Sequence, residues 1–180
     1  NPGTMAAILG LSPEQVQEAV SKASGAGVVV AANLNSPIQT VISGEPGAVA
    51  RASEIASEMG AKRVVPLNVS GAFHSPLMRS AADALEKILC TAQIHDLKTP
   101  VVANVTSEFE VAAHEVRANL TAQITGSVRW VESVQRMVTA GVQAFVELGP
   151  GNVLAGLIKR IAPEVEVYSA GDRASFEALA

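Results

Sequence analysis

Within the first seventy residues, four short apolar runs rich in β-branched residues alternate with two proline-opened helical stretches. That order constrains the fold more than anything else in the chain. The runs are "GTMAAILGL", "GVVVAANL", "IQTVISG" and "KRVVPLNVS". Between the first two, Ser12 reads as an N-cap, Pro13 as the first helical residue and Gln15 as the closing member of a capping box. Val16, Ala19, Val20 and Ala23 then recur at helical spacing before Gly25 ends the element. In "PGAVARASEIASEMGA" the stripe is Val49, Ala52, Ile55, Ala56 and Met59. Asn35-Ser36-Pro37 breaks the second and third runs as a hairpin would. The order β-α-β-β-α-β is that of the ferredoxin-like split motif, assigned here to residues 1–70.

From His74 the rhythm changes. Ser75 and Pro76 open a helix whose apolar face is Leu77, Met78, Ala81, Ala82, Leu85, Ile88 and Leu89, and Cys90, one position on, is expected to fill core. A strand over "TPVVANVTS" follows, then a weakly striped helix over "HEVRANLTAQ". A stronger helix runs through Trp130, Val134, Met137 and Val138 to Gly141. "AFVELGPG" and "VEVYSAG" read as strands around the helix "NVLAGLIKRI", and "RASFEALA" starts a last helix. Such alternation implies a parallel α/β layer over residues 71–180, with about three strands. Three strands are too few to cover the apolar faces of their helices, so exposed apolar surface is expected along residues 97–168. Aromatic residues are 3% of the chain, so the core must be built from Val, Ala, Leu and Ile.

Several function classes are disfavoured. The longest apolar runs fall far short of the ~18 residues of a membrane span. A net charge of −4 and few aromatic residues argue against a nucleic-acid surface. The single cysteine excludes an internal disulfide framework, and no His/Asp/Glu cluster has metal-ligand spacing. A reducing, cytoplasmic setting is expected. The opening "NPGTMAAILG" has neither a basic n-region nor an initiator methionine, so the sequence reads as a piece from inside a longer protein.

The stretch "NVSGAFHSPLM", Asn68 to Met78, carries the strongest chemical signal. A histidine ahead of a helix is either a capping or core residue, or a base. Three circumstances favour the base. His74 lies where a strand end meets a helix N-terminus, the usual place for function in α/β folds. The positive end of the helix dipole favours a neutral imidazole. Small Gly71 and Ala72 leave room for a substrate. Asn33, Asn35 and Gln39 in "NLNSPIQT" read, taken alone, as turn residues, and "ELGPG" likewise reads as a turn. No G-x-S-x-G nucleophile elbow is present, which leaves a base without a nucleophile.

Together the motifs resemble the malonyl-CoA:acyl carrier protein transacylase family and the related acyltransferase domains of polyketide and fatty acid synthases. The likeness runs from "PGTMAAILGL" through "NLNSPIQTVISG", "LNVSGAFHSPLM", "TPVVANVTS" and "SVRW" to "ELGPGNVLAGLIKRI". It implies a ferredoxin-like subdomain followed, over residues 71–180, by the C-terminal part of an α/β-hydrolase-like acyltransferase domain. Family members carry a Gly-His-Ser-x-Gly motif, an arginine and a glutamine-containing loop upstream, so by resemblance an N-terminal segment of the same enzyme is missing. The resemblance makes His74 the catalytic base, oriented by a backbone carbonyl at Gln123. It places Asn33, Asn35 and Gln39 along the substrate cleft, and Phe73 at a position tied to malonyl preference. It implies malonyl-CoA and acyl carrier protein as partners and no cofactor, coenzyme A entering as the substrate thioester. Two alternatives stand beside it: a non-catalytic ferredoxin-like binding or regulatory module, and the acyltransferase domain of a polyketide synthase.

Overall fold

A computed structural model describes residues 3–179; residues 1, 2 and 180, at the ends of the two expected spans, lie outside the described residues. Strand β1 (Thr4–Leu9) runs into helix α1 (Pro13–Ala23), whose start is the expected capping box. Gln15 N–H donates to Ser12 Oγ (3.3 Å) and Ser12 N–H to Gln15 Oε1 (2.9 Å). β2 (Val29–Ser36) and β3 (Gln39–Gly44) form the hairpin, followed by α2 (Pro46–Glu58) and β4 (Arg63–Pro66). The sheet order is β2-β3-β1-β4, every pair antiparallel.

Strand alternation divides this sheet into two buried faces. One carries Ala6, Ile8, Val29 and Ile42 against Val16, Val20, Val49 and Ile55 of the two helices. Each fully buried Val or Ile there contributes about 1.5–3 kcal/mol. The other face carries Met5, Ala7, Ala32 and Val41. Edge strand β2 does not end the sheet bare. Leu34 N–H donates to Val128 O (2.9 Å) and Val128 N–H to Ala32 O (2.8 Å), so a later segment pairs with it in parallel. This covers an edge that would otherwise template other strands.

A 3₁₀ turn (Pro76–Met78) opens α3 (Arg79–Thr91). β5 (Val101–Val102), β6 (Phe109–Glu110), α4 (Ala113–Gln123), α5 (Trp130–Thr139), β7 (Ala144–Leu148), α6 (Val153–Ile161), β8 (Glu166–Ala170) and α7 (Arg173–Glu177) follow. β7 and β8 pair in parallel under α5 and α6, with Val134, Ile158 and Ala162 at the centre of that core.

Three expectations fail here. The parallel layer has two strands, because the expected strand over residues 99–107 shortens to β5 and turns back antiparallel onto β6. The turn is tight: Ser107 N–H donates to Ala103 O (2.8 Å) and Ser107 itself adopts φ +59°. Cys90 does not fill core but is exposed. Ile88 is also open, at 64%. The cause is shared, since α3 buries only Ala82 and Leu89 and both other residues lie outside that narrow stripe. The expected exposed apolar surface is present: Val146 is 48% exposed, Leu148 68% and Val153 71%.

Candidate active site

His74 sits in the loop between β4 and the 3₁₀ turn, in the left-handed region at φ +57°. For a residue with a Cβ that conformation costs roughly 1–2 kcal/mol, so surrounding bonds must hold it. Ser75 supplies them. Fully buried, its Oγ–H donates to Ala72 O (2.7 Å) while Oγ accepts from Leu77 N–H (3.3 Å).

The half-buried imidazole reaches the C-terminal end of α4, where Nδ1 lies 2.9 Å from Gln123 O. A carbonyl only accepts, so in the neutral ring Nδ1 carries the proton and Nε2 carries the free lone pair. Gln123 Nε2 is 3.2 Å from the same Nδ1, but its N–H is directed to Gly126 O at 2.9 Å. Reversing that amide would set two oxygens against each other at Gly126. Its Oε1 is buried without a partner. Gly126 has no room for a side chain: a Cβ there would lie 2.6 Å from Val105 Cγ2 and 2.9 Å from Ala122 O.

The turn after Gln123 leads directly into the segment that pairs with β2. Ser127 Oγ–H donates to Ala31 O (2.7 Å), and Asn33 lies opposite Val128. Gln39, at the start of β3, accepts weakly from Arg160 of α6 through Oε1 (3.4 Å). Residues 123–128 therefore join the loop of His74 to the strand of Asn33, while Arg160 ties in Gln39. Among the described residues no hydrogen bond links Asn35 or Phe73 to this cluster. Phe73 is 42% exposed and stacks over Gly71, whose added Cβ would meet the ring at 3.4 Å.

Two supporting contacts outside this cluster were not read from the sequence. Glu147 of β7 accepts from the N–H groups of Leu154 (3.1 Å) and Ala155 (2.8 Å), so it caps α6 from the strand before it. An acidic residue just ahead of "GPG" was the available signal. Arg129 pairs with Glu132 and donates to Thr106 O (2.9 Å), bracing the start of α5 against the β5–β6 turn. Among the described residues no three His, Cys, Asp or Glu side chains are grouped to hold a metal ion, and no helix is long and apolar enough to cross a membrane.

Residues 1–170 match the acyl transferase domain. The malonyl CoA-acyl carrier protein transacylase of Bacillus subtilis is 40% identical over 176 residues, 97% of this chain and 56% of that protein. Its counterpart in Haemophilus influenzae is 42% identical over 177 residues, 98% of this chain and 57% of that protein. An acyl carrier protein S-malonyltransferase structure from Vibrio cholerae superimposes with a TM-score of 0.96 at 40% identity, covering 99% of this chain and 58% of that one. A malonyl-transacylase solved in complex with its type II PKS acyl carrier protein gives 0.95 at 38% identity, covering 98% and 57%. The chain thus spans rather more than half the length of these relatives.

Proposed function

We propose a function from one premise: the chain belongs to the acyl transferase domain family. Residues 1–180 form the histidine-bearing part of a malonyl-CoA:acyl carrier protein transacylase, acting in the cytoplasm in fatty acid synthesis. Residues 1–70 are its ferredoxin-like subdomain, and residues 71–180 belong to its larger α/β subdomain. The carrier in the PKS complex makes a polyketide carrier the second reading.

The reaction is acyl transfer in two steps. His74 Nε2 takes the proton of a serine that lies outside this chain, and the serine oxygen attacks the malonyl thioester. The C–S bond breaks, and coenzyme A leaves as a thiol carrying the proton returned by His74. In the second half the carrier's phosphopantetheine thiol gives its proton to the same nitrogen and attacks the malonyl ester; the ester C–O bond breaks, and His74 returns the proton to the serine oxygen. Coenzyme A is a substrate carrier here, and the chemistry calls for no cofactor.

Gln123 O holds the ring and stabilises the imidazolium through Nδ1–H. Asn33, Asn35 and Gln39 line the cleft side of the hairpin, and Phe73 closes the space beside the malonyl group. The single observation supporting this reading is the His74–Gln123 O bond of 2.9 Å, which leaves Nε2 as the free base.

The test joins residues 1–180 to the part of the Haemophilus influenzae relative that this chain does not match. Malonyl transfer from malonyl-CoA to a phosphopantetheinylated carrier is then measured. General-base help is worth about 10²–10⁴-fold, so His74→Ala should depress transfer by that much with the unfolding midpoint nearly unchanged. Transfer per folded molecule that survives the substitution would remove His74 from the mechanism.

A further inference from the structure

We infer that Ser75 is a positioning residue, whose hydroxyl fixes the tautomer and aim of the neighbouring imidazole rather than merely starting α3. This rests on the reading of His74 as the base. The sequence alone makes Ser75 an N-cap, and a cap acts by accepting from the helix's free N–H groups. In the structure that acceptor contact is the longer one, 3.3 Å to Leu77 N, whereas the donated bond to Ala72 O is 2.7 Å. The donated bond runs backward over His74, closing a loop in which His74 is the left-handed residue.

Its far end is anchored. Ala72 is 3% exposed and packs so closely on Gly3 that a Cβ at Gly3 would lie 2.5 Å from Ala72 N. The hydroxyl therefore ties a strained backbone to a fixed point, and that backbone sets the ring's approach to Gln123 O. With the tie cut, the loop can relax out of the left-handed region. The ring then loses its directed acceptor, and Nδ1 and Nε2 compete for the proton.

The chain's three histidines make this measurable. His95 and His114 are exposed and serve as references within the same sample. Long-range proton–nitrogen NMR of the 180-residue chain, labelled with ¹⁵N-histidine and held at a pH above the ordinary histidine range, gives the Nδ1–H to Nε2–H ratio of each ring. In the unmodified chain His74 should be strongly biased to Nδ1–H relative to His95 and His114. Ser75→Ala should shift its ratio toward theirs by about three- to tenfold, the ratio equivalent of one net hydrogen bond. His95 and His114 should not move. If Ser75→Ala does not fold, Ser75→Cys, a weaker donor of similar size, is read in the same way. A lowered unfolding midpoint with the His74 ratio unchanged overturns the inference, as does an unbiased ratio in the unmodified chain. Neither readout depends on acyl transfer, so a failed base assignment would appear separately, in the His74→Ala transfer assay.

Discussion

At His74 and Phe73 neighbouring side chains face different physical demands. The imidazole is held by one carbonyl and a strained backbone, whereas Phe73 is 42% exposed and lies over Gly71. A ring this exposed would discriminate by filling space rather than by fixed contacts. One methyl group is worth about 1–3 kcal/mol in an apolar pocket, so under the proposed function Phe73 would set only a modest preference. In the joined domain, Phe73→Ser should raise the methylmalonyl-to-malonyl ratio of kcat/KM by roughly 10-fold, measured by competition between the two thioesters. An unchanged ratio would remove Phe73 from the specificity argument. His74 stood out in the sequence as a candidate base from its place between a strand end and Ser-Pro. The placing of Gln123 beside it was expected from family likeness alone, because a backbone carbonyl leaves no mark on the identity of its own residue. Gly126 carried no signal in the sequence, since the crowding by Val105 and Ala122 that requires glycine arises from tertiary packing.

Among the elements, helix starts with local signals were legible in the sequence, whereas the short β5–β6 pairing was not. Ser12-Pro13 and Gln15 mark the start of α1 because capping is settled within four residues. β6 has two residues and no periodicity, and it exists only because the turn through Ser107 returns the chain to β5. At the other end, α7 depends on a cap that titrates. Asp172 Oδ1 accepts from Ser175 Oγ–H (2.6 Å) and Ser175 N–H (2.8 Å), and these bonds hold its carboxyl below the usual aspartate range, the hydroxyl bond contributing most. A depressed folded value means the cap's contribution is complete above the unfolded aspartate value of ~3.9. It is lost as pH falls through the lower folded value. Amide exchange at residues 173–177 should therefore accelerate relative to α1 in that acid window, and Ser175→Ala should move the window up toward ~3.9. Protection of α7 that tracks α1 throughout would show that the cap does not hold the helix.

The whole molecule is unevenly closed. The four-stranded sheet is buried on both faces, whereas the β7–β8 ladder has α5 and α6 on one face only. Phe145 and Val167 point into that core, and on the other face Val146 is 48% exposed, Leu148 68% and Tyr168 42%. Parallel strands are ordinarily covered on both faces, so this face is built for contact. The sequence showed too few strands for a closed layer, but the uncovered side depended on which residues alternate inward. Leu148→Lys tests the asymmetry. In the 180-residue chain the substitution replaces one exposed side chain by another and should shift stability by no more than about 0.5 kcal/mol. In the joined domain, where the remainder of the relative can cover the ladder, it buries an unpaired charge and should cost about 3–5 kcal/mol. Urea unfolding of both forms, with and without the substitution, measures the difference. A small loss in both would mean that the added part leaves the ladder uncovered, and a large loss in the shorter chain would mean that the ladder is already covered by another copy of itself.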